Sequence, residues 1–596
     1  MFKKKNASDY LNEAEVLYKN RNYQNTVKLL DKAINLDSNL TEAYILRANC
    51  FIKLLLYEKA INDYSTFLNL IDTTSINVNN NKLTKSYDNA DDKYNNKKAI
   101  AYCERGYCKS QLGLSEEAFS DFQESINLNP NDVWTYYRRG RYYNELGLYK
   151  EAVIDFNKAM DLKPNFVIAY NDRGIAKANL GFHPDAINDF KLCLSLDPTN
   201  DCVYHNIAVS LSSMGDYLTA LLYDNKAIEL NSTNTAYYYY RGEIKVHLQM
   251  YNDAINDYTK VIDLASDSNI MPFAYNGRGL CKKELGLFEE ALVDYNKSIG
   301  INPHIALFYR NRGDLKQSLH ICKAIFGDVN NAPKTTKKDS KANNNNMDIC
   351  KKDTHLLQEA LMDYNTAVEL DPTCYFTYMH RGSFYESREM YELAIKDYDK
   401  ATELAPECID SYYARGILLC SIGKYELGIE DFNKCIEIEP TSGLFYFLRG
   451  RAKSSLQQYN SAIEDFSTAI TKNPNAKEYY IQRAYAYSQI QNYEEAIIDY
   501  NTVLNKDPMD AYTYCDRGKT KELAKMYTEA LDDYNIALKL DPNDALAYFN
   551  RGTLYKILGK YDTAKDDFRH AYSKCLDNED LKQLAINNLK ELKTQN

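Results

Sequence analysis

Thirteen arginines recur in one register along this chain, and each is answered by an aspartate farther on. Arg139 is followed sixteen residues later by Asp155, Arg381 by Asp397 and Arg551 by Asp567. A guanidinium and a carboxylate at fixed spacing can neutralise each other inside a fold or present charge to a ligand. The exceptions decide between these. Two stretches carry Glu13 and Ile207 in place of the arginine, and both also lack the aspartate, with Leu29 and Tyr223 there. Partners lost together predict an ion pair that bridges two neighbouring elements of one stretch. A solvated pair would contribute only about 0–1 kcal/mol. A buried pair, broken on one side, would cost about 3–5 kcal/mol.

No other constellation suits catalysis. The fourteen Cys form no C-x-x-C pair and no cluster with His, so no metal site is expected. Gly277-Arg278-Gly279 lacks the third glycine of a phosphate-binding loop. The eight His are scattered, and nothing implies a cofactor. Cys193 and Cys435 stand at small core positions and read as packed thiols.

The elements that carry the arginines follow from a period of 34 residues that begins at Ala7 and last restarts at Ala545, about fifteen units in all. With Gly140 set as position 8, spacings of three, four and seven residues put positions 4, 8 and 11 on one helix face. Positions 17, 20, 24 and 27 fall on a second. Small residues at 8 and 20, such as Gly140 and Ala152, let two helix backbones approach, and Tyr or Phe at 4, 17 and 24 fills the space beside them. Gly147, Gly181 and Gly286 at position 15 predict a left-handed cap on the first helix. Pro130 and Pro542 at position 32 stop the second.

On these residues the chain resembles the tetratricopeptide repeat family over nearly its whole length, with one departure: Arg replaces the family's large apolar residue at position 7. The resemblance implies an all-α, right-handed solenoid of helix-turn-helix repeats. The expected layout is repeats one and two over 7–72, a low-complexity loop over 73–96, and repeats from the third to the first helix of the ninth over 99–326. An Asn/Lys-rich disordered insertion follows over 327–353, then the remaining repeats over 354–576 and a capping helix over 577–596 bearing Leu581, Leu584, Leu589 and Leu592.

The resemblance also implies that first helices line a concave groove through positions 2, 5, 9 and 12. Position 2 contributes Trp134, Phe376, Leu444, Tyr512 and Leu546. Position 5 contributes Tyr137, Tyr239, Met379, Tyr413, Phe447, Ile481 and Phe549. Position 9 contributes Tyr107, Arg141, Arg451, Tyr485 and Lys519. An apolar, aromatic stripe with cations among it suits a protein segment with apolar anchors and some acidic character.

A net charge of −11 does not suit a nucleic-acid surface. No run of 18 apolar residues and no secretory leader occurs, so a cytoplasmic protein off the membrane, with reduced thiols, is expected. The expected function is a non-catalytic scaffold that binds other proteins. Its rivals are a co-chaperone adaptor and a structural subunit of a large assembly. The first is weakened because no Lys occupies position 5, and Asn12, Asn49, Asn206, Asn311 and Asn550 never assemble the carboxylate-clamp set in consecutive units. Oligomeric state is not legible.

Overall fold

The computed structural model describes residues 5–79, 88–264, 269–326, 354–575 and 578–594, and every regular element among them is an α-helix. Two helices make one repeat. In the fourth, the Asp132 side chain accepts from the Thr135 N–H at 3.0 Å and starts the helix Val133–Glu145. Gly147, at φ +75°, turns the chain, and the Leu148 N–H donates back to the Tyr143 carbonyl at 2.9 Å. The second helix, Tyr149–Leu162, stops just before Pro164. The turns of the other uninterrupted repeats share this geometry even where position 15 is not glycine, as at Leu55 (φ +59°) and Gln249 (φ +57°). A left-handed L-residue costs roughly 1–2 kcal/mol. Leu55 projects into solvent, so Leu55→Gly forfeits no packing. It should raise stability by up to about 1 kcal/mol after glycine's own entropy cost, read as a higher chemical-denaturation midpoint.

The core is segmented, one packet of side chains per repeat. Ala152 and Phe156 of the fourth repeat and Ala186 and Phe190 of the fifth are buried. The ring at position 24 lies against the backbone of position 8, which is why that position stays small. A Cβ on Gly140 would come 2.9 Å from Phe156.

All thirteen arginine–aspartate pairs form. Each Arg Nε donates to Oδ2 at 2.7–3.0 Å and each Nη2 to Oδ1 at 2.5–2.8 Å, a bidentate bridge between the two helices of one repeat. The carboxylates are 2–8% exposed and the guanidinium side chains 15–20%. Burial is the first influence on Asp63, Asp155 and Asp431 and pushes their carboxyls up, while the paired arginine works against it.

Two further contacts were not expected. Each of these guanidiniums lies over the position-4 Tyr ring of its own repeat, at 5.1–5.9 Å, so that ring is the arginine's platform as well as filler. Nη1 reaches back to position 25 of the preceding repeat: Arg47 to Asp31 at 2.7 Å, Arg139 to Gln123 at 3.1 Å, Arg449 to Asn433 at 2.7 Å. One side chain thus locks its own repeat and ties it to its neighbour.

The chain divides into two compact units, Met1–Ile301 with repeats one to eight and Asn302–Asn596 with the rest. The ninth repeat, interrupted in sequence, is still a pair: Arg312 of helix Ala306–Phe326 bonds Asp363 of helix Thr354–Leu370. The insertion expected over 327–353 lies outside the described residues, as do residues 80–87 of the loop expected over 73–96. The flanks of that loop are helical, contrary to expectation: one helix runs Tyr57–Asn79 and the next Asp88–Gln111. Asp72 stands where proline follows many other second helices; Ser38 and Ser232 stand there too, yet their helices end at Leu36 and Leu230, so the missing proline permits the longer helix without causing it. At the other end, Glu579–Thr594 packs on the last repeat through Ala585, Leu589 and Leu592. Leu584, expected inside, is exposed, because the inward face follows 585, 589 and 592.

Candidate functional site

The first-helix face carries the exposed stripe, and the structure sorts the expected residues by position. Position 2 points outward. Trp134 is 49% exposed and stands edge-on to Phe166, Phe376 is 47% exposed and stacks on Tyr375, and Tyr512 is 70% exposed. Leu444 and Leu546 share that exposure. At position 9, Tyr485 and Arg451 are exposed, Arg141 is exposed beside Glu145, and Lys519 is held by Glu522 at 2.7 Å.

Position 5 turns inward instead. Tyr137 is buried, its ring among Phe156 and Phe166 and its hydroxyl donating to Asp172 at 2.8 Å. Burial first, then the Asp172 carboxylate, pushes that phenol well above its ordinary range. Tyr239, Met379, Tyr413, Phe447, Ile481 and Phe549 are half-buried. Phe447 packs on Phe466 and Tyr479, and Phe549 on Phe568. Tyr107, at position 9, is half-buried under the Arg138 guanidinium, 4.6 Å from its ring. The small residue at position 8 lets the two helices close in, and this draws the neighbouring position-5 side chain into the packet.

Between consecutive first helices runs a crevice that the sequence did not reveal. Its walls are positions 9, 12, 13, 17 and 24 of one repeat and positions 6, 9, 10 and 13 of the next. Between repeats three and four it is nearly closed, by Tyr107, Arg138, Arg141 and Tyr142 among others. Between eleven and twelve it opens to about 270 Å³ beside Cys420, Phe432 and Arg451. There Gly428 replaces the usual alanine at position 20, and the Cys420 Sγ occupies the space a Cβ would take. Between six and seven it opens to about 260 Å³ and is acidic, with Asp224 and Glu243 in its wall. Burial raises both carboxyls, opposed at Asp224 by His205 and at Glu243 by the Tyr258 hydroxyl. Positions 6 and 13 therefore join the face. The signal that could have found them is their variability inside an otherwise strict repeat, as in Arg138, Tyr240, Leu448 and Asp516 at position 6.

The thiols are placed as expected. Cys193 and Cys435 are fully buried, and burial raises them to about 11 and about 12. Among the described residues no helix is long and apolar enough to cross a membrane.

Family models described as tetratricopeptide repeat match residues 99–132, 122–154, 274–305, 377–408, 409–442 and 447–511, and one described as TPR repeat matches 526–568. No curated protein matches the sequence. Among solved structures, the chain is similar to the APC/C hetero-tetramer Cut9-Hcn1 at 14% identity and a TM-score of 0.40, covering 92% of this chain and 96% of that one. It is similar to yeast Tom70 at 16% identity and 0.32, covering 78% and 96%. YrrB, described as a TPR protein with an unusual peptide-binding site, aligns at 23% identity and 0.28, covering 31% and 95%.

Proposed function

Because the chain belongs to the tetratricopeptide repeat family, we propose that it is a non-catalytic scaffold whose first-helix face binds segments of other proteins. The observation that carries this reading is the outward stripe at position 2. Large aromatic and aliphatic side chains stand in solvent there, with the exposed Arg141 and Arg451 about two helical turns farther on at position 9. Exposed aromatics beside arginine are the composition of binding hot spots, and each is typically worth about 2 kcal/mol on removal. Such a face has no need of a catalytic group. An extended or helical segment with apolar anchors and acidic residues between them would meet both the stripe and the cations.

The test is capture of partners from native lysate by the full chain, wild type against Trp134→Asp/Tyr512→Asp. Both side chains are exposed, so circular dichroism should be unchanged, which substitutions at half-buried Tyr413 or Phe447 would not ensure. Partners should be depleted at least roughly thirtyfold, the ratio that about 2 kcal/mol implies. Full retention of the same partners would remove the first-helix face from consideration.

One observation favours a second reading, a structural subunit that assembles through its second helices. Ile154, Leu222, Met362 and Ile498 at position 22 are each more than half exposed. Partners that survive the first-helix variant but are lost with Leu222→Glu/Ile498→Glu would select it.

A further inference from the structure

Two crevices on the first-helix face differ at matching positions. Between repeats three and four, Tyr142 at position 10 helps close the space, its hydroxyl 2.6 Å from that of Ser115. Between eleven and twelve, position 10 is Ala452, and the space stays open at about 270 Å³. Cys420 would narrow it from the other wall, but its Sγ is drawn aside into the space above Gly428. Position 20 is alanine in every other repeat except the first, which has Thr26. A Cβ on Gly428 would collide with that sulfur. Two small residues at two positions thus keep one crevice open. Its apolar walls are Ile417, Tyr425, Leu448 and the buried ring of Phe432.

The charge at the mouth of this crevice is uncompensated. Arg451 lines it from position 9. Arg141, at the same position of the fourth repeat, has Glu145 at 3.6 Å and Asp172 at 3.9 Å. The residues at those two places around Arg451 are Ser455 and Gln482. Among the described residues no carboxylate pairs with the Arg451 guanidinium, which lies over the Phe447 ring at 5.9 Å. Arg451, Ser421 and Ser455 are all exposed, so the cation and the rim are open to solvent.

We infer that the crevice between repeats eleven and twelve receives a segment of a partner protein in which an apolar side chain stands next to an acidic one. The apolar side chain enters between Ile417, Tyr425 and Leu448, and the carboxylate meets Arg451 at the mouth. A guanidinium takes a carboxylate in a two-pronged fork, and an unpaired one on an exposed face selects for that charge. Walls already in place receive an apolar group without reorganising. The volume lies below the roughly 300–1,000 Å³ of pockets for drug-sized ligands, which matches a single side chain. This inference rests on the scaffold reading given above, to which it adds a place and a chemistry.

The test uses the full chain and ligand-observed saturation-transfer NMR with three probes: acetyl-Glu-Leu-Glu-amide, acetyl-Gln-Leu-Gln-amide and acetyl-Glu-Ala-Glu-amide. The expected result is saturable binding of the first, with each of the others weaker by about tenfold or more. Arg451→Gln should weaken the first probe to the same degree. So should two variants that close the crevice. Ala452→Leu installs the residue that position 10 already buries as Leu418 and Leu554. Gly428→Ala restores the usual alanine and displaces the Cys420 thiol towards the crevice. Arg451 is exposed, so Arg451→Gln decides the matter if neither closing variant folds. Absence of saturable binding, equal binding of either control peptide, or binding unchanged in Arg451→Gln would overturn the inference. Trp134 and Tyr512 belong to other repeats, so the two tests fail separately. Partners lost with Trp134→Asp/Tyr512→Asp while no peptide binds would keep the scaffold reading and overturn the pocket.

Discussion

Asp155→Ala should cost the fourth repeat about 3–5 kcal/mol, the largest effect expected of any single substitution considered for this chain. The Asp155 carboxylate is 5% exposed and accepts both prongs of Arg139, at 2.7 and 2.8 Å. Removing it leaves a cation that is 17% exposed, held above the Tyr136 ring, with only the Gln123 carbonyl oxygen as an acceptor. Because each repeat contacts its neighbours alone, the loss should be local. Hydrogen exchange should quicken in Val133–Glu145 and Tyr149–Leu162 and, to a smaller extent, in Ser115–Leu128, to which the released Arg139 stays tied through Gln123. Distant repeats should keep their protection. Asp562→Ala is the internal control: Asp562 is 96% exposed and pairs with Lys565 at 3.4 Å, so its loss should be within about 0.5 kcal/mol of zero. The pair's value lies in complementarity and not in charge as such. Arg139→Met/Asp155→Leu should therefore recover most of the loss. An Asp155→Ala protein as stable as wild type would contradict the lock.

Gly174→Ala should destabilise the fifth repeat by about 1–3 kcal/mol, although alanine is the better helix former by about 1 kcal/mol. An added Cβ would stand 2.5 Å from Cε1 of Phe190 and 2.8 Å from Cδ1. That ring is buried and packed against Ala186, Cys193 and Val203, so it has no free direction in which to retreat. Overpacking therefore outweighs propensity here. Shrinking the ring should reverse the sign of the change, so Gly174→Ala/Phe190→Leu should be more stable than Phe190→Leu alone. Thermal or urea unfolding of the four proteins checks both statements. A stabilising Gly174→Ala on its own would show that the ring yields more easily than its packing suggests. The chain's own Ala48 and Ala484 at the same position mark repeats whose spacing already accepts a Cβ.

Both substitutions act on contacts made inside one repeat, and those were legible in the residues. A period of 34 acts as an internal alignment, so any contact that recurs in each repeat leaves a matched pair of positions. The loss of Arg and Asp together at Ile207 and Tyr223 was enough to place the lock within a repeat and between its helices. The left-handed turn at Gly147 and the packed thiols of Cys193 and Cys435 follow from the same register.

Contacts between repeats were harder to read. The reach of Arg Nη1 to position 25 did leave a trace: that position is Asp31, Gln123 or Asn433 before an arginine-bearing repeat, and Lys191 before Ile207. The groove residues left none. Position 5 was expected to face a partner, yet Tyr137 is buried and Phe447 half-buried, while position 2 stands in solvent. Helical spacing places a residue on a face of its own helix. It does not state how closely the next helix approaches that face, and that distance is set by packing across the whole repeat. The acidic crevice at Asp224 shows the same division. The residues disclose a carboxylate at position 24, where a ring belongs, but that it lies in the wall of an open crevice depends on how repeats six and seven meet. Periodic sequence fixes what each repeat makes with itself, and the angle between repeats fixes what remains open to a partner.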